Sequence, residues 1–175
     1  MRKWLLALTI ATLASLPASA ALKQGTAAPN FFTQGAHGGK AFRLHLKEQL
    51  RKGPVVLYFY PKAFTEGCTL ETKAFADAMP QFRKSGVQVI GMSADDLPTL
   101  KKFSVEACRS AFPVATASKA IIRDYDVAMG DSGLSNRTSY VIDRRGRIAF
   151  VHSDLDWSKH VEKTLAAAQA LRSRR

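Results

Sequence analysis

The sequence contains only two cysteines, Cys68 and Cys108, among its 175 residues. Two cysteines are too few for a cysteine-rich zinc ribbon or for a miniprotein held together by several disulfides. Neither C-x-x-C nor C-x-x-x-C occurs, which counts against a thiol–disulfide oxidoreductase and a copper-delivery protein, and the four histidines show no close metal-ligand spacing. The two thiols suffice for one disulfide, or for one reactive cysteine and a partner.

Acidic residues are also scarce, with 14 Asp and Glu against 26 Lys and Arg, and the formal net charge is +12. The basic residues are spread along the chain, a pattern typical of a solvated basic surface. Nucleic-acid recognition needs a reading element or a basic stripe interleaved with aromatic residues, and the sequence contains neither. We therefore expect no nucleic-acid partner.

The remaining composition is that of an ordinary globular protein. Apolar residues make up 46% and charged residues 23% of the chain, close to the averages of roughly 45–50% and about 25%. A chain of this length is expected to form one domain, since domains usually hold about 100–200 residues. Wholesale disorder and collagen-like structure are excluded.

Long apolar runs are confined to the N-terminus. A basic start at residues 1–3 precedes an uncharged run at 4–16, and Ala18-Ser19-Ala20 provides the small residues of a cleavage site. This is the layout of a secretory signal peptide. We predict that residues 1–20 are removed, leaving a single domain over 21–175 that is exported, to the periplasm, without stable membrane insertion. A membrane anchor, which needs about 20 apolar residues, and a buried N-terminal helix are the alternatives.

Hydrophobic periodicity predicts alternating strands and helices. The predicted strands cover residues 54–60, 87–92, 138–142 and 147–151, and the predicted helices cover 69–82, 97–109 and 158–171. Residues 21–40 hold four of the eleven glycines and are predicted to form a loop. Strand–helix–strand order implies parallel pairing, and the turn at 143–146 adds an antiparallel hairpin. The predicted fold class is α/β, with a mixed central sheet flanked by helices on both faces.

Cys68 lies between the first buried strand and the first long helix. Thr65 is a favourable N-cap residue and Glu66 suits the first helical turn. A thiol at a helix N-terminus faces unpaired N–H groups and the positive end of the helix dipole, which favour the nucleophilic thiolate. The position therefore indicates a reactive cysteine, and the alternative is a small buried residue that only packs.

The segment from Pro61 to Cys68 has the pattern P-x-x-x-T-x-x-C and directly follows Tyr58-Phe59-Tyr60. This pattern resembles the active-site signature of the peroxiredoxins, and Y-F-Y-P is similar to their bacterioferritin-comigratory (PrxQ) branch. Further segments resemble the family in the same order, namely A-P-N-F at 28–31, V-I-G-M-S-A-D at 89–95, F-P-V at 112–114 and N-R-T-S-Y-V-I-D at 136–143. The resemblance covers residues 25–170, and several ordered segments make it specific.

The resemblance implies a thioredoxin-like fold that reduces hydrogen peroxide and organic hydroperoxides without a metal or an organic cofactor. By motif position, Cys68 would be the peroxidatic nucleophile. Thr65 would offer its hydroxyl to the peroxide and the thiolate, and Pro61 would shield the thiolate from water. Arg137 would supply a fixed positive charge to the charge that develops on sulfur and oxygen. Arg123 is a second candidate for that role.

Attack on a peroxide would turn Cys68 into a sulfenic acid, which condenses readily with a second thiol. The branch often carries its resolving cysteine five residues after the peroxidatic one, where this sequence has Lys73. The resemblance to members that use the next crossover helix implies that Cys108 resolves instead. A thioredoxin-like or other thiol reductant would then regenerate the enzyme. Cys108 as a buried spectator, and a bridge between two chains, stay open.

The sequence leaves two other functions open beside this peroxidase. The chain could be an exported binding or delivery protein of the same fold with an incidental thiol, or a peroxidase in which only Cys68 reacts. Ala63 and Phe64 differ from the small or acidic residues common at these positions in the family, which leaves the preferred hydroperoxide open.

Overall fold

The protein is described by a computed structural model that covers residues 21–173. The predicted signal peptide, residues 1–20, lies outside the described residues. Among residues 21–173, the strands are β1 (Phe32–His37), β2 (Lys40–His45), β3 (Val55–Phe59), β4 (Gln88–Ser93), β5 (Val114–Thr116), β6 (Thr138–Ile142) and β7 (Ile148–Ser153). The helices are α1 (Leu46–Lys52), α2 (Glu66–Lys84), α3 (Leu97–Glu106), α4 (Lys119–Asp124) and α5 (His160–Ser173), and Trp157–Lys159 form a 3-10 turn before α5. None of these helices is long and apolar enough to cross a membrane.

The seven strands form one mixed sheet in the order β2-β1-β5-β4-β3-β6-β7. Strand β3 pairs in parallel with β4, and β4 pairs in parallel with β5. The antiparallel pairs are β3 with β6, β6 with β7, and β1 with both β2 and β5. The predicted parallel crossover and the predicted hairpin are both confirmed.

Strand β3 lies in the middle of the sheet and is buried along its whole length. Because successive strand residues point to opposite faces, Val56 and Tyr58 pack into one apolar cluster with α2, α3 and α5. Val55, Leu57 and Phe59 pack into the other cluster with α1 and α4. Helices therefore cover both faces of the sheet, as predicted.

The prediction of a loop over residues 21–40 is wrong in its second half, where β1 begins an antiparallel hairpin with β2. Gly38 and Gly39 form its turn with φ values of 56° and 77°, a conformation that glycine adopts without strain. A Cβ at Gly35 would lie only 2.6 Å from the carbonyl oxygen of Val114. The glycines that suggested a loop therefore serve a tight turn and a close strand contact.

Two further differences concern element ends. Helix α2 begins at Glu66, three residues before the predicted start, and α3 ends at Glu106 rather than at residue 109. The first difference includes Cys68 in the first turn of α2. The second leaves Cys108 in a turn just beyond α3, because Arg109 and Ser110 adopt positive φ values of 48° and 55°, which a helix cannot contain.

Candidate active site

The site is built where β3 ends and α2 begins. Thr65 occupies the N-cap position of α2 with extended backbone angles, and Cys68 is the third helical residue. The Cys68 side chain is 1% exposed. Its backbone N–H is one of the four at a helix N-terminus that have no partner within the helix. The sequence-based prediction that Cys68 lies at a helix N-terminus is confirmed.

The loop before α2 is fixed from the end of β4. The Asp95 carboxylate accepts hydrogen bonds from the backbone N–H of Ala63 at 2.7 Å and from the Ser93 hydroxyl at 2.8 Å. Phe64 has a φ of 64° and packs edge-on against Phe103, with ring centroids 5.1 Å apart, while 45% of its surface stays exposed. Sequence reasoning did not identify Asp95 as a residue that orders this loop.

Thr65 and Pro61 both lie in this loop. The Thr65 hydroxyl donates to the Lys62 carbonyl at 2.9 Å and makes no side-chain capping bond to α2. The hydroxyl proton is therefore engaged, and the oxygen retains lone pairs that can accept a hydrogen bond. Pro61 is half-buried directly after the buried Tyr60.

Arg137 reaches Cys68 from the segment that leads into β6. Its Nη2 donates to Cys68 Sγ at 3.5 Å, its Nε donates to the Leu155 carbonyl at 2.9 Å, and its Nη1 donates to the Glu71 carboxyl. Arg137 is 6% exposed and Glu71 is fully buried. Because Nε and Nη1 are bound to Leu155 and Glu71, the planar guanidinium cannot rotate freely, and Nη2 is held on the sulfur.

Arg137 and Trp157 both pack against Gly67, the residue before Cys68. A Cβ at Gly67 would lie 3.4 Å from Arg137 Nη2 and 3.6 Å from Trp157 Cδ1. The guanidinium and the indole therefore lie against the first turn of α2, beside Cys68. Arg123 does not share this site, because its exposed guanidinium pairs with the neighbouring Asp124 on α4.

Glu71 and His160 are site residues that sequence reasoning missed. Glu71 Oε1 lies 3.7 Å from His160 Nδ1, and both side chains are fully buried. His160 Nδ1 is 2.8 Å from the Ser139 hydroxyl, and its Nε2 is 2.9 Å from the Asp154 carbonyl oxygen. The sequence could have indicated Glu71, since it follows Cys68 by three residues and so lies on the same helix face.

Burial dominates the electrostatics of this cluster. It raises the pKa of Glu71 to about 8, although the positive charge of Arg137 and its hydrogen bond act in the opposite direction. Burial also lowers the pKa of His160 to about 4. A low-dielectric environment penalises the charged form of each group, so both favour their neutral forms at neutral pH.

Cys108 is a free, fully buried thiol in the same apolar cluster as Cys68, which is also free. Burial raises the pKa of the Cys108 thiol. Its turn is held on α2 by Arg109, whose guanidinium pairs with Asp77 and donates to the Lys73 carbonyl at 3.4 Å. The two cysteines therefore lie in one core without a disulfide between them. Cys68 lies on α2, and Cys108 lies in a turn attached to α2 by side chains.

Within residues 21–173, no three His, Cys, Asp or Glu side chains gather in a way that could hold a metal ion. The chemistry available from the described residues is that of a buried cysteine facing a fixed guanidinium, an arrangement suited to nucleophilic attack with stabilisation of developing negative charge.

Comparisons with known proteins agree with this chemistry. Residues 24–151 match the model of the AhpC/TSA family. The chain is 32% identical over 152 residues to peroxiredoxin Q of Oryza sativa subsp. japonica, covering 86% of this chain and 68% of that protein. It is 33% identical over 154 residues to peroxiredoxin Q of Arabidopsis thaliana, covering 86% and 69%. The crystal structure of peroxidoxin BcpB from Mycobacterium tuberculosis is similar, with a TM-score of 0.77 and 30% identity, covering 86% of this chain and 98% of that one.

The packing of the Cys108 turn generates a prediction. Arg109→Ala removes the ion pair with Asp77 and the bond to the Lys73 carbonyl, while the left-handed backbone at residue 109 remains unfavourable for alanine. We expect Cys108 to be alkylated several-fold faster by iodoacetamide in the native protein, as measured by peptide mass spectrometry. Asp77→Asn, which keeps the bond to Lys73, is the matched control with a smaller effect. Equal alkylation rates in all three proteins would contradict a holding role for Arg109.

Proposed function

The chain belongs to the AhpC/TSA family and is a peroxiredoxin, a thiol-dependent peroxidase, and we propose that Cys68 is its peroxidatic nucleophile. The observation that carries this assignment is the 3.5 Å contact from Arg137 Nη2 to Cys68 Sγ. The other two sides of the guanidinium are bound to Glu71 and to the Leu155 carbonyl. A charge-assisted donor is therefore aimed at the sulfur before any substrate binds.

The proposed reaction is attack by the Cys68 thiolate on one oxygen of a hydroperoxide. A sulfur–oxygen bond forms, the O–O bond breaks, and the leaving alkoxide or hydroxide takes a proton to become an alcohol or water. Sulfur loses two electrons and becomes a sulfenic acid, while the peroxide gains them. Arg137 stabilises the thiolate and the charge that passes to oxygen, and it needs no reorganisation because its position is already fixed.

Thr65 and Pro61 complete the proposed site. Because the Thr65 hydroxyl donates to the Lys62 carbonyl, its oxygen is free to accept a hydrogen bond from the O–H of a bound hydroperoxide. Pro61 lacks a backbone N–H and is half-buried, which suits it to keep water from the thiolate. Their positions in the loop before α2 support both roles.

We propose that Cys108 resolves the sulfenic acid. The two thiols lie in one apolar cluster, which also contains Tyr60. A disulfide requires Cα atoms within about 7 Å and a suitable direction of approach. The turn that carries Cys108 would release from α2 to meet Cys68, and a thioredoxin-like protein would then reduce the disulfide.

We propose that the protein is exported and acts in the periplasm. The support is the sequence pattern of residues 1–20, with a basic start, an apolar run and small residues before Ala21. An oxidising compartment suits an enzyme whose catalytic cycle includes a disulfide. The substrates proposed there are hydrogen peroxide and organic hydroperoxides.

The roles of Cys68 and Arg137 are tested by peroxide consumption. Cys68→Ser is expected to abolish turnover with the fold intact, because a serine hydroxyl is barely ionised near neutral pH. Arg137→Ala is expected to lower the second-order rate constant of the first oxidation by about 10²–10³, the usual cost of losing one preorganised donor. Arg123→Ala, which removes a surface arginine paired with Asp124, is the matched control. Turnover by the serine variant, or an unchanged rate in Arg137→Ala, would refute the assignment.

The role of Cys108 is tested separately from the first step. Cys108→Ser is expected to leave the rate of the first oxidation nearly unchanged, since Cys108 acts after the O–O bond has broken. Multiple turnover with a thioredoxin-type donor should stop, and Cys68 should become prone to overoxidation to the sulfinic acid. One equivalent of peroxide should convert the wild-type protein into an intramolecular Cys68–Cys108 disulfide, detected by intact-mass and peptide mass spectrometry. Normal turnover of the variant would establish a one-cysteine peroxidase, and a covalent dimer would place the bridge between chains.

Export is tested on the protein isolated from an envelope fraction. The mature N-terminus is expected to be Ala21, because Ala18 and Ala20 occupy the two small-residue positions before it. Intact-mass measurement distinguishes the cleaved chain from the full-length one. Met1 retained in a membrane fraction would favour the anchor instead.

A further inference from the structure

Glu71 is the one Asp or Glu among residues 21–173 whose side chain is fully buried. Its Oε2 accepts from Arg137, and its Oε1 accepts no hydrogen bond from the described residues. An ionised carboxylate oxygen without a donor in a buried site is strongly disfavoured. Glu71 Oε1 lies 3.7 Å from His160 Nδ1.

The hydrogen bonds of His160 fix its tautomer. Its Nε2 faces the carbonyl oxygen of Asp154 at 2.9 Å, and a carbonyl oxygen can only accept, so Nε2 carries the proton. In a neutral imidazole, Nδ1 then has a lone pair, to which the Ser139 hydroxyl donates at 2.8 Å. Glu71 Oε1 therefore lies opposite a lone pair and not opposite an N–H group.

Two acceptors facing each other in a buried site repel unless a proton lies on one of them. Burial keeps the His160 imidazole neutral, so it has one ring proton, which is committed to the Asp154 carbonyl, and the additional proton lies on Glu71. The titratable and charged groups around the pair come from several elements, namely Cys68 on α2, Arg137 before β6, Tyr58 on β3, His152 on β7, and Asp154 and Asp156 after β7. Arg137 is the permanent cation that contacts Glu71 directly.

We propose that Glu71 is an uncharged carboxylic acid in the resting enzyme and that neutral His160 keeps it so. The positive charge of Arg137 is then not compensated by a carboxylate and acts on the Cys68 thiolate. This inference rests on the proposed function of Cys68. Both Glu71 and His160 are positioning residues, because they act through Arg137. A protonated Glu71 still accepts from Arg137 through Oε2, so it orients the guanidinium without offsetting its charge.

The inference has a consequence for the dependence of the reaction on pH. The pKa of Glu71, about 8, places its ionisation above neutrality. The negative charge of an ionised Glu71 would offset the electrostatic effect of Arg137 at Cys68. The rate of peroxide attack should therefore fall above pH of about 8. An acid of this pKa is about nine-tenths ionised at pH of about 9, and the decline should there reach up to about tenfold.

The protonation state is read directly by ¹³C NMR of the glutamate carboxyl groups. The sequence has five glutamates, and one carboxyl resonance is expected to titrate with a midpoint near pH 8. That resonance should be absent in Glu71→Gln. This measurement needs no peroxidase activity and no variant that folds, since the titration is visible in the wild-type protein. No glutamate titrating above neutrality would overturn the inference.

The effect on chemistry is read from single-turnover oxidation of Cys68 by hydrogen peroxide across the same pH range. Glu71→Gln, which cannot ionise, should remove the alkaline decline and exceed the wild-type rate by up to about tenfold at pH of about 9. If Glu71 were already ionised at neutral pH, Glu71→Gln would change the rate by the same factor at pH of about 6 as at pH of about 9. That result would overturn the inference while peroxidase activity itself stood.

The role of His160 is read from the midpoint of the Glu71 titration. His160→Leu removes the lone pair that opposes a negative charge on Oε1, so the midpoint and the alkaline decline should both move to lower pH. Thr164→Val is the matched control, because Thr164 is a buried residue one turn along α5 whose hydroxyl donates to the His160 carbonyl at 2.6 Å and not to Glu71. It should lower stability without moving the midpoint. An unmoved midpoint in His160→Leu, or an equal shift in Thr164→Val, would remove His160 from the mechanism.

Discussion

The contact between Arg137 and Cys68 depends on how completely the guanidinium is held. Three of its nitrogens are committed, to Glu71 on α2, to the Leu155 carbonyl after β7, and to the sulfur at the start of α2. Helix α2, the segment before β6 and the segment after β7 are far apart in the chain, so the site exists only when β3, β6, β7 and α2 are assembled. Folding therefore supplies the preorganisation that a peroxidase needs, because a donor already in place requires no rearrangement during attack.

Burial gives this arrangement its strength and also its main cost. An ion pair inside a protein is strengthened by the low dielectric, but removing two charges from water is unfavourable. A carboxyl group that remains protonated reduces that cost, since Arg137 is then the only charged member of the pair. His160, held by Ser139 and by the Asp154 carbonyl, fits this scheme as a neutral neighbour. The same scheme explains why a fully buried carboxyl can lie beside a nucleophile that needs nearby positive charge.

The two cysteines occupy segments of different character. Cys68 lies in the first turn of a 19-residue helix, in contact with Arg137. Cys108 lies in a turn whose next two residues have positive φ values and whose attachment to α2 is an exposed ion pair. The Cys108 turn is therefore attached to α2 through exposed side chains, while Cys68 is part of α2 itself.

The sequence by itself determined the α/β class, the central strands, the hairpin, and the position of Cys68 at a helix N-terminus, because each depends on local periodicity and capping. Its motifs also brought Cys68 and Arg137 together, through resemblance to a family. The β1–β2 hairpin was missed because Gly35, Gly38 and Gly39 locally favour a loop, and only the close approach of Val114 reveals that a strand requires glycine there. Glu71 and His160 were missed as a pair for a related reason. They are 89 residues apart (160 − 71), and only tertiary packing removes the water that would otherwise make each an ordinary charged or polar side chain.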